Sequence, residues 1–166
     1  NVFVYVKEGL TQKTFPAPKE PLVVFDQQGC RYHPHVFGMR LGQKLEIRNS
    51  DPTLHNVHAM PKTNAQFNAG MPIKDMKIER SFDKPEIGVK IKCDVHPWMK
   101  AWANVMDHPF FAVTGDQGSF DMKDLPAGKY VVTAWHSELG SKDVNVTVEE
   151  GKPANITFDF SSTDKK

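Results

Sequence analysis

Short runs in which apolar and polar residues alternate recur along the whole chain. Val144, Val146 and Val148 alternate with Asn145 and Thr147, as in a strand with one buried face and one wet face. Glycine and proline, 11 and 12 in number, separate such runs, and long helical periodicity is absent. The pattern predicts an all-β fold with strands at Val2–Val6, Leu22–Asp26, His35–Arg40, Lys44–Asn49, Gly88–Cys93, Ala101–Asp107, Phe110–Thr114, Lys129–Trp135, Asp143–Val148 and Ala154–Phe160.

One segment departs from this pattern. Residues Met60 to Lys84 are polar and mixed, with Gly70, Met71 and Pro72 in the middle. Glycine and proline favour turns rather than regular elements. The composition therefore predicts a loop with one helical turn.

A break in the chain near Asp107, His108 and Pro109 indicates two domains. The sequence after this break contains a series of hairpin and turn signals and no cluster of metal-ligand residues. A chain of 166 residues is long enough for two small domains. We expect a first domain at 1–107, a second, smaller β-sandwich packed against it at 108–160, and a disordered polar tail at 161–166.

Charge and hydropathy narrow the class of partner. Lys and Arg number 21 against 20 Asp and Glu, and a net charge of +1 gives no field for nucleic acid or an anionic membrane. No apolar run approaches the ~18 residues of a membrane-spanning helix, so we expect no transmembrane segment in this chain. The chain opens on the strand-like NVFVYV without a basic leader region, as in a mature exported protein.

The two cysteines and most of the seven histidines are clustered. The three clusters are GCRYHPHV, LHNVH and KCDVHPWM, which contain Cys30, His33, His35, His55, His58, Cys93 and His96. In an exported protein two cysteines could simply form a disulfide. That alternative has to be weighed against the residues around each thiol.

The strongest signal is Cys93-x-x-His96-x-x-Met99. The strand before it alternates so that Cys93 shares the buried face of Ile91. A tight turn follows, in which Pro97 fixes its own φ and stiffens the backbone. This loop can present sulfur, nitrogen and sulfur donors to one point.

These donors favour copper. Thiolate and thioether are soft and imidazole is intermediate, whereas calcium or magnesium would require carboxylates. Two histidines and one cysteine with a weak axial methionine form the blue-copper arrangement. The second histidine cannot be located by spacing alone, and the candidate is His55, at the exit of the strand Lys44–Asn49.

The motifs CDVHPWM and HNVH, with Asn49 shortly upstream, resemble those of the small blue copper proteins, the cupredoxins, and among them most closely the amicyanins. The resemblance covers roughly Tyr32 to Met106. It implies a Greek-key β-sandwich that holds one copper ion, with a buried first histidine, a second histidine at the surface, and ligands His55, Cys93, His96 and Met99. It also implies that the Asn49 side chain locks the two ligand-bearing segments together.

Two features depart from that pattern. Asp94 follows the cysteine where a hydroxyl residue is common, which changes the groups available to hydrogen-bond the sulfur. The C-terminal part, with DHPFFAVTGDQGSF and DLPAGKYVVTAWH, resembles instead a carboxypeptidase-regulatory, transthyretin-like sandwich. The whole chain is similar to exported bacterial proteins of the methylamine-utilisation-like or plastocyanin-like kind. This implies a periplasmic or extracellular location, with any membrane anchor outside this segment.

Several residues outside the main cluster have two interpretations. Cys30 could join His33 and His35 in a second metal site or add a thiolate to the first, and we favour a buried free thiol. His136 is a turn or interface histidine, or a residue of the copper rim if the second sandwich folds back on the first. Trp98 is a candidate for an apolar docking patch around His96, and His58 is expected to cap or pack.

The residues favour an electron-transfer protein that turns over no substrate. Its partners would be redox proteins such as c-type cytochromes or other exported copper or quinone enzymes, docked weakly. A copper carrier would use the same ligands but gain from an exposed site and methionine-rich loops. A copper enzyme would need further paired histidines. A fourth hypothesis is that the copper is structural or lost and that the second sandwich is an adhesion or carbohydrate-binding module.

Overall fold

A computed structural model describes residues 1–164, except for the side chain of Ser162. The described chain is almost entirely β-structure, as the sequence predicts, and its only helical element is the 3-10 turn Ser162–Asp164. None of its helical structure is long and apolar enough to cross a bilayer. The strands are β1 Phe3–Glu8, β2 Leu22–Gln27, β3 Tyr32–His33, β4 Val36–Arg40, β5 Lys44–Asn49, β6 His55–Met60, β7 Phe67–Met71, β8 Lys77–Arg80, β9 Glu86–Lys92, β10 Lys100–Met106, β11 Phe111–Val113, β12 Gly128–His136 and β13 Gly140–Val148.

The chain divides into two compact units. The central unit is Pro16–Pro109, and the terminal unit joins Asn1–Phe15 to Phe110–Lys166. The break after Pro109 lies close to the expected domain boundary. The N-terminal end of the first domain was predicted wrongly, because β1 pairs with β11 and β12 of the terminal unit. Pairing between strands so far apart in sequence leaves no local signal.

Two sheets form the central unit. One has the strand order β4-β10-β9-β6-β7 and the other β3-β2-β5-β8. Both are mixed, since β4 runs parallel to β10 and β2 runs parallel to β5. Their inner faces enclose one apolar core, in which the largest fully buried side chains include Phe25, Met39, Leu45, Ile47 and Ile91.

Strand β9 carries the alternation that points Cys93 inward. Val89 and Ile91 are fully buried, whereas Lys90 is exposed. Cys93 follows the strand on the same face and is 2% exposed. The expectation that this thiol enters the sandwich is therefore confirmed.

The segment from Met60 to Lys84 is not the predicted loop with a helical turn. It contains β7 and β8, which pair antiparallel with β6 and β5 respectively. Each is the last strand of its sheet. Edge strands tolerate polar and charged residues because one side faces solvent, so their composition resembles that of a loop.

The terminal unit contains one four-stranded sheet, with the order β11-β1-β12-β13. The predicted strand Ala154–Phe160 is not formed in the described structure, although Ile156, Phe158 and Phe160 still pack on the apolar face of the unit. Alternation of apolar and polar residues indicates that one face is buried. A strand also requires a neighbouring strand with which its backbone can pair in register. The predicted second sandwich is thus, within residues 1–164, one sheet covered by irregular segments.

The tail is only partly as expected. Ser161 donates its backbone N–H to the Asp164 carboxylate at 2.6 Å, and Lys142 pairs with that carboxylate at 2.9 Å. Residues 161–164 are therefore held rather than disordered. The rest of the predicted tail, Lys165 and Lys166, lies outside the described residues.

Glu86 anchors the loop after β6. Its carboxylate accepts hydrogen bonds from the backbone N–H groups of Lys62, Thr63 and Asn64 and from two of their side chains. Burial raises the pKa of Glu86, but these hydrogen bonds outweigh it and lower the pKa to about 2 from the ordinary 4.5. The carboxylate therefore stabilises the fold above pH 4.5, and this contribution is lost as the pH falls towards about 2.

We expect Glu86→Gln to lower the free energy of unfolding at neutral pH by about 1 kcal/mol, a value reduced for solvent screening. The variant should also lose part of the decline in stability that the wild type shows on acidification below pH 4.5. Urea unfolding from neutral pH to about pH 2 measures both effects. Glu79→Gln, which removes a surface ion pair with Lys44, is the matched control. Parallel pH profiles for wild type and Glu86→Gln would contradict the assignment.

Candidate metal centre

The loop of residues 93–99 between β9 and β10, the Cys93 loop, is closed by main-chain hydrogen bonds. The N–H of Cys93 donates to the carbonyl of Met99 at 3.1 Å, and the N–H of Met99 donates to the carbonyl of His96 at 2.9 Å. The N–H of His96 points at the Cys93 sulfur, 3.4 Å away. These bonds place the sulfur and the His96 ring on one side of the turn.

His55 brings the second imidazole to the same place. It is the first residue of β6 and is fully buried. Its Nδ1 lies 3.0 Å from Nδ1 of His96, and the two ring centroids are 4.8 Å apart. The ligand atoms of His55, Cys93 and His96 all lie within 4.8 Å of one another, so the structure brings together three of the four predicted ligands.

The spacing of these atoms suits one metal ion. With bonds of about 2.0 Å to nitrogen and about 2.3 Å to sulfur, two donors on a tetrahedral or trigonal ion lie roughly 3.3 to 3.8 Å apart. The Cys93 sulfur is 3.8 Å from Nδ1 of His96, and the two Nδ1 atoms are slightly closer at 3.0 Å. One thiolate and two imidazoles at these distances can bind a soft or intermediate transition-metal ion.

Asp51 orients the His55 ring. Nε2 of His55 lies 2.8 Å from the Asp51 carboxylate, so the hydrogen on Nε2 donates there and Nδ1 keeps its lone pair for a metal. Burial raises the pKa of Asp51, but the backbone N–H of Cys30, the His55 ring and the N–H of Gly29 together lower it. Sequence reasoning missed Asp51, although it lies only four residues before His55.

Asn56, not Asn49, joins the two ligand segments. The side-chain oxygen of Asn56 accepts a hydrogen bond from the N–H of Asp94 at 2.7 Å and lies 3.3 Å from the Cys93 sulfur. Asn56 follows His55 directly, so one dipeptide supplies a candidate ligand and the contact to the other loop. The position next to a histidine was the only sequence signal that could have indicated it.

Asn49 has a different role from the one expected. Its side chain donates to the carbonyls of Thr53 at 3.0 Å and Met71 at 2.7 Å, and it accepts from the N–H of Asp51 at 3.0 Å. These bonds fasten the segment before His55 to β7. The prediction that Asn49 bridges to the Cys93 loop is therefore wrong. Its side chain is fully buried, but its hydrogen-bond partners are Thr53, Met71 and Asp51.

The Asp94 carboxylate belongs to a polar network at the surface. It accepts hydrogen bonds from Asn56 and Asn68, both at 2.9 Å, pairs with Lys92 at 2.8 Å, and lies 3.1 Å from Nδ1 of His58. Lys92 is the main cause that lowers the pKa of Asp94, with the two amides adding to it. His58 thus contacts the Asp94 carboxylate through its ring.

The remaining residues of the loop differ in their exposure to solvent. Met99 is 1% exposed and belongs to the core, whereas Pro97 is exposed at the tip of the turn. Trp98 is 64% exposed, with its ring centroid 5.2 Å from that of His96. Its indole N–H donates to the carbonyl of Cys30 at 3.0 Å.

The predicted secondary residues are not grouped as the GCRYHPHV motif suggests. Both cysteines are free thiols, so the Cys30–Cys93 disulfide is not formed. His33 and His35 are exposed, and Nδ1 of His35 lies 3.0 Å from the carbonyl of Lys100. His136 belongs to the terminal unit, where its ring accepts the N–H groups of Glu138 and Leu139 at 3.2 Å. In the described chain Cys30 is grouped with Asp51 and His55.

Comparison with known proteins gives likeness in fold only. No protein-family model matches the chain, and no curated protein is significantly similar in sequence. A reduced mutant of amicyanin is 20% identical with a TM-score of 0.47, over 52% of this chain and 83% of that one. A purple cupredoxin from Nitrosopumilus maritimus is 18% identical with a TM-score of 0.43, over 50% and 98%. A copper-containing nitrite reductase from Thermus scotoductus SA-01 is 18% identical with a TM-score of 0.49, over 61% and 26%.

The central unit itself is a β-sandwich with the candidate ligands at one end. Two mixed sheets pack face to face, one candidate ligand opens β6, and the others lie in the turn between β9 and β10. The predicted all-β fold is confirmed by these sheets. The chemistry of the site rests on the chain's own residues.

Proposed function

We propose that the protein binds one copper ion through His55, Cys93 and His96, with Met99 as a weak axial ligand, and transfers single electrons. The observation that carries the proposal is the convergence of one thiol and two imidazoles at the end of a β-sandwich. A copper ion held there would exchange between Cu(I) and Cu(II). Met99 and Pro97 belong to the proposal through the loop that they share with Cys93 and His96.

The buried side of the site favours a rigid copper centre. His55 and Cys93 are almost inaccessible to solvent, and each is held by hydrogen bonds from a neighbouring segment. Ligands fixed in this way change position little when the charge on the metal changes. Asn56, next to the sulfur, and Asp51, on the far side of the His55 ring, are the residues placed to adjust the reduction potential.

The exposed side of the site favours electron exchange at His96. This ring is half-buried and lies beside Trp98, which is largely exposed. Val95 is 47% exposed on the same loop. A small apolar surface around a metal ligand suits brief docking of a redox partner, such as a c-type cytochrome or another exported copper or quinone enzyme. We place the protein in the periplasm or outside the cell, and we propose no substrate turnover.

A copper carrier is the second candidate function. The three methionines of the segment 60–84 could have formed a soft delivery surface, but only Met60 is substantially exposed. Met71 is fully buried and accepts a hydrogen bond from Gln27 at 3.0 Å, and Met76 packs against the core. These contacts favour electron transfer over delivery.

Copper reconstitution tests the proposal. Adding Cu²⁺ to the metal-free protein should produce intense visible absorption from thiolate-to-copper charge transfer at one copper per chain. Protein-film voltammetry should then show one reversible one-electron couple. A carrier would bind copper with little colour in air and no reversible couple, and either result would reject electron transfer.

A further inference from the structure

A second cluster of metal-binding atoms lies on the other side of the His55 ring. The ligand atoms of Cys30, Asp51 and His55 all lie within 4.8 Å of one another. Asp51 approaches Nε2 of His55 at 2.8 Å, whereas Nδ1 of the same ring faces His96. One imidazole therefore stands between two groups of donors, and each group contains one of the chain's two cysteines.

The Cys30 turn is built around the Asp51 carboxylate. Gly29 and Cys30 both have left-handed backbones, with φ of 62° and 52°. Their N–H groups donate to the two oxygens of Asp51 at 2.8 and 2.9 Å. Trp98 binds the carbonyl of Cys30, which ties this turn to the Cys93 loop as well. A left-handed backbone is strained for a cysteine, and such strain persists where the surroundings hold it in place.

The donors match a transition-metal ion. Thiolate, imidazole and carboxylate together are the ligands of zinc and of ions with similar preferences. Three protein donors leave one position for water. Cys30 and Asp51 are only partly buried, so an ion in solution can reach this group.

The shared ring limits how the two groups can be used. A neutral imidazole has one nitrogen with a free lone pair, and the other nitrogen carries the hydrogen. With the hydrogen on Nε2, His55 donates to Asp51 and offers Nδ1 to the Cys93 group. With the hydrogen on Nδ1, the ring offers Nε2 to the Cys30 group. A neutral His55 can therefore serve one group at a time.

We propose that Cys30, Asp51 and His55 form a second metal position, which takes a thiophilic ion such as Co²⁺, Zn²⁺ or Cu(I) in alternation with the Cys93 position. Binding replaces the thiol hydrogen of Cys30 with the metal and releases one proton to water. At His55 the hydrogen moves from Nε2 to Nδ1.

Cobalt binding to a Cys93→Ser variant tests this inference. Only Cys30 remains as a thiol, so a thiolate-to-cobalt absorption band in anaerobic, reduced protein must come from it. We expect such a band with one Co²⁺ per chain. Cys30→Ser in the same background should remove it, and Asp51→Asn should weaken Co²⁺ binding by about tenfold or more. His35→Ala is the matched control and should leave the band unchanged.

Two outcomes would overturn the inference: no thiolate band in folded Cys93→Ser protein, or a Co²⁺ affinity, measured by titration of the band, that Asp51→Asn leaves unchanged. If Cys93→Ser does not fold, Cys93→Ala replaces it. In the wild type, Co²⁺ should slow alkylation of Cys30 in copper-free protein and not in copper-loaded protein, as mapped by mass spectrometry. A wild type without copper colour whose Cys93→Ser variant shows the cobalt band would reject the proposed electron transfer and leave the second position standing.

Discussion

Cys93→Ser is expected to abolish the intense visible absorption of the copper-loaded protein completely. The band requires a sulfur anion bound to copper, and Cys93 supplies the sulfur that lies 3.8 Å from Nδ1 of His96. A hydroxyl is a harder donor and gives no comparable transition. Copper titration followed by visible absorption measures the loss, and circular dichroism verifies the fold of the variant.

Cys30→Ser is the control for that experiment. The structure places Cys30 on the Asp51 side of His55, away from the Cys93 and His96 donors. The variant should therefore keep the position and intensity of the copper band. Loss of the band in Cys30→Ser with retention in Cys93→Ser would reverse the assignment of the two thiols.

Asn49→Ala is expected to lower the free energy of unfolding by about 2–4 kcal/mol and to weaken copper binding. Without the amide, the carbonyls of Thr53 and Met71 lose a buried donor and the N–H of Asp51 loses its acceptor. The segment that positions Asp51 and His55 would then be released from β7. Urea unfolding and competitive copper titration measure the two effects separately.

Asn104→Ala provides a matched comparison. Asn104 is as deeply buried as Asn49, but its side chain bonds the N–H of Gly88 at 2.9 Å and the carbonyl of Phe37 at 3.2 Å. Asn104→Ala should lower the free energy of unfolding by an amount similar to that of Asn49→Ala and leave the copper affinity unchanged. An equal loss of copper affinity in both variants would mean that Asn49 acts through global stability alone.

The grouping of Cys93 and His96 could be predicted because its signals are local. Strand β5 was predicted with its observed bounds, and the alternation through Ile91 correctly turned Cys93 into the core. Cys93, His96 and Met99 lie within the seven residues CDVHPWM, so a short sequence motif contains all the information on their spacing. The structure then brings His55 to this turn because β6 pairs with β9.

The supporting residues could not be predicted because their partners are distant in sequence. Asp51 acts through Gly29 and Cys30, and Asn56 acts through Asp94. An asparagine or aspartate side chain carries no pattern that specifies which distant backbone it will bond. The same limit explains β8, whose pairing with β5 became evident only from the assembled sheet.

The pairing of β1 between β11 and β12 has a consequence for the order in which the protein is made. The ribosome completes the central unit while residues 1–15 still lack both of their neighbouring strands. The central unit can thus fold first, as a long insertion within a discontinuous partner whose inner strand β1 waits until β11 and β12 have been made. A fragment that starts at Phe110 would lack that strand, so the terminal unit should be produced only with its N-terminal segment attached.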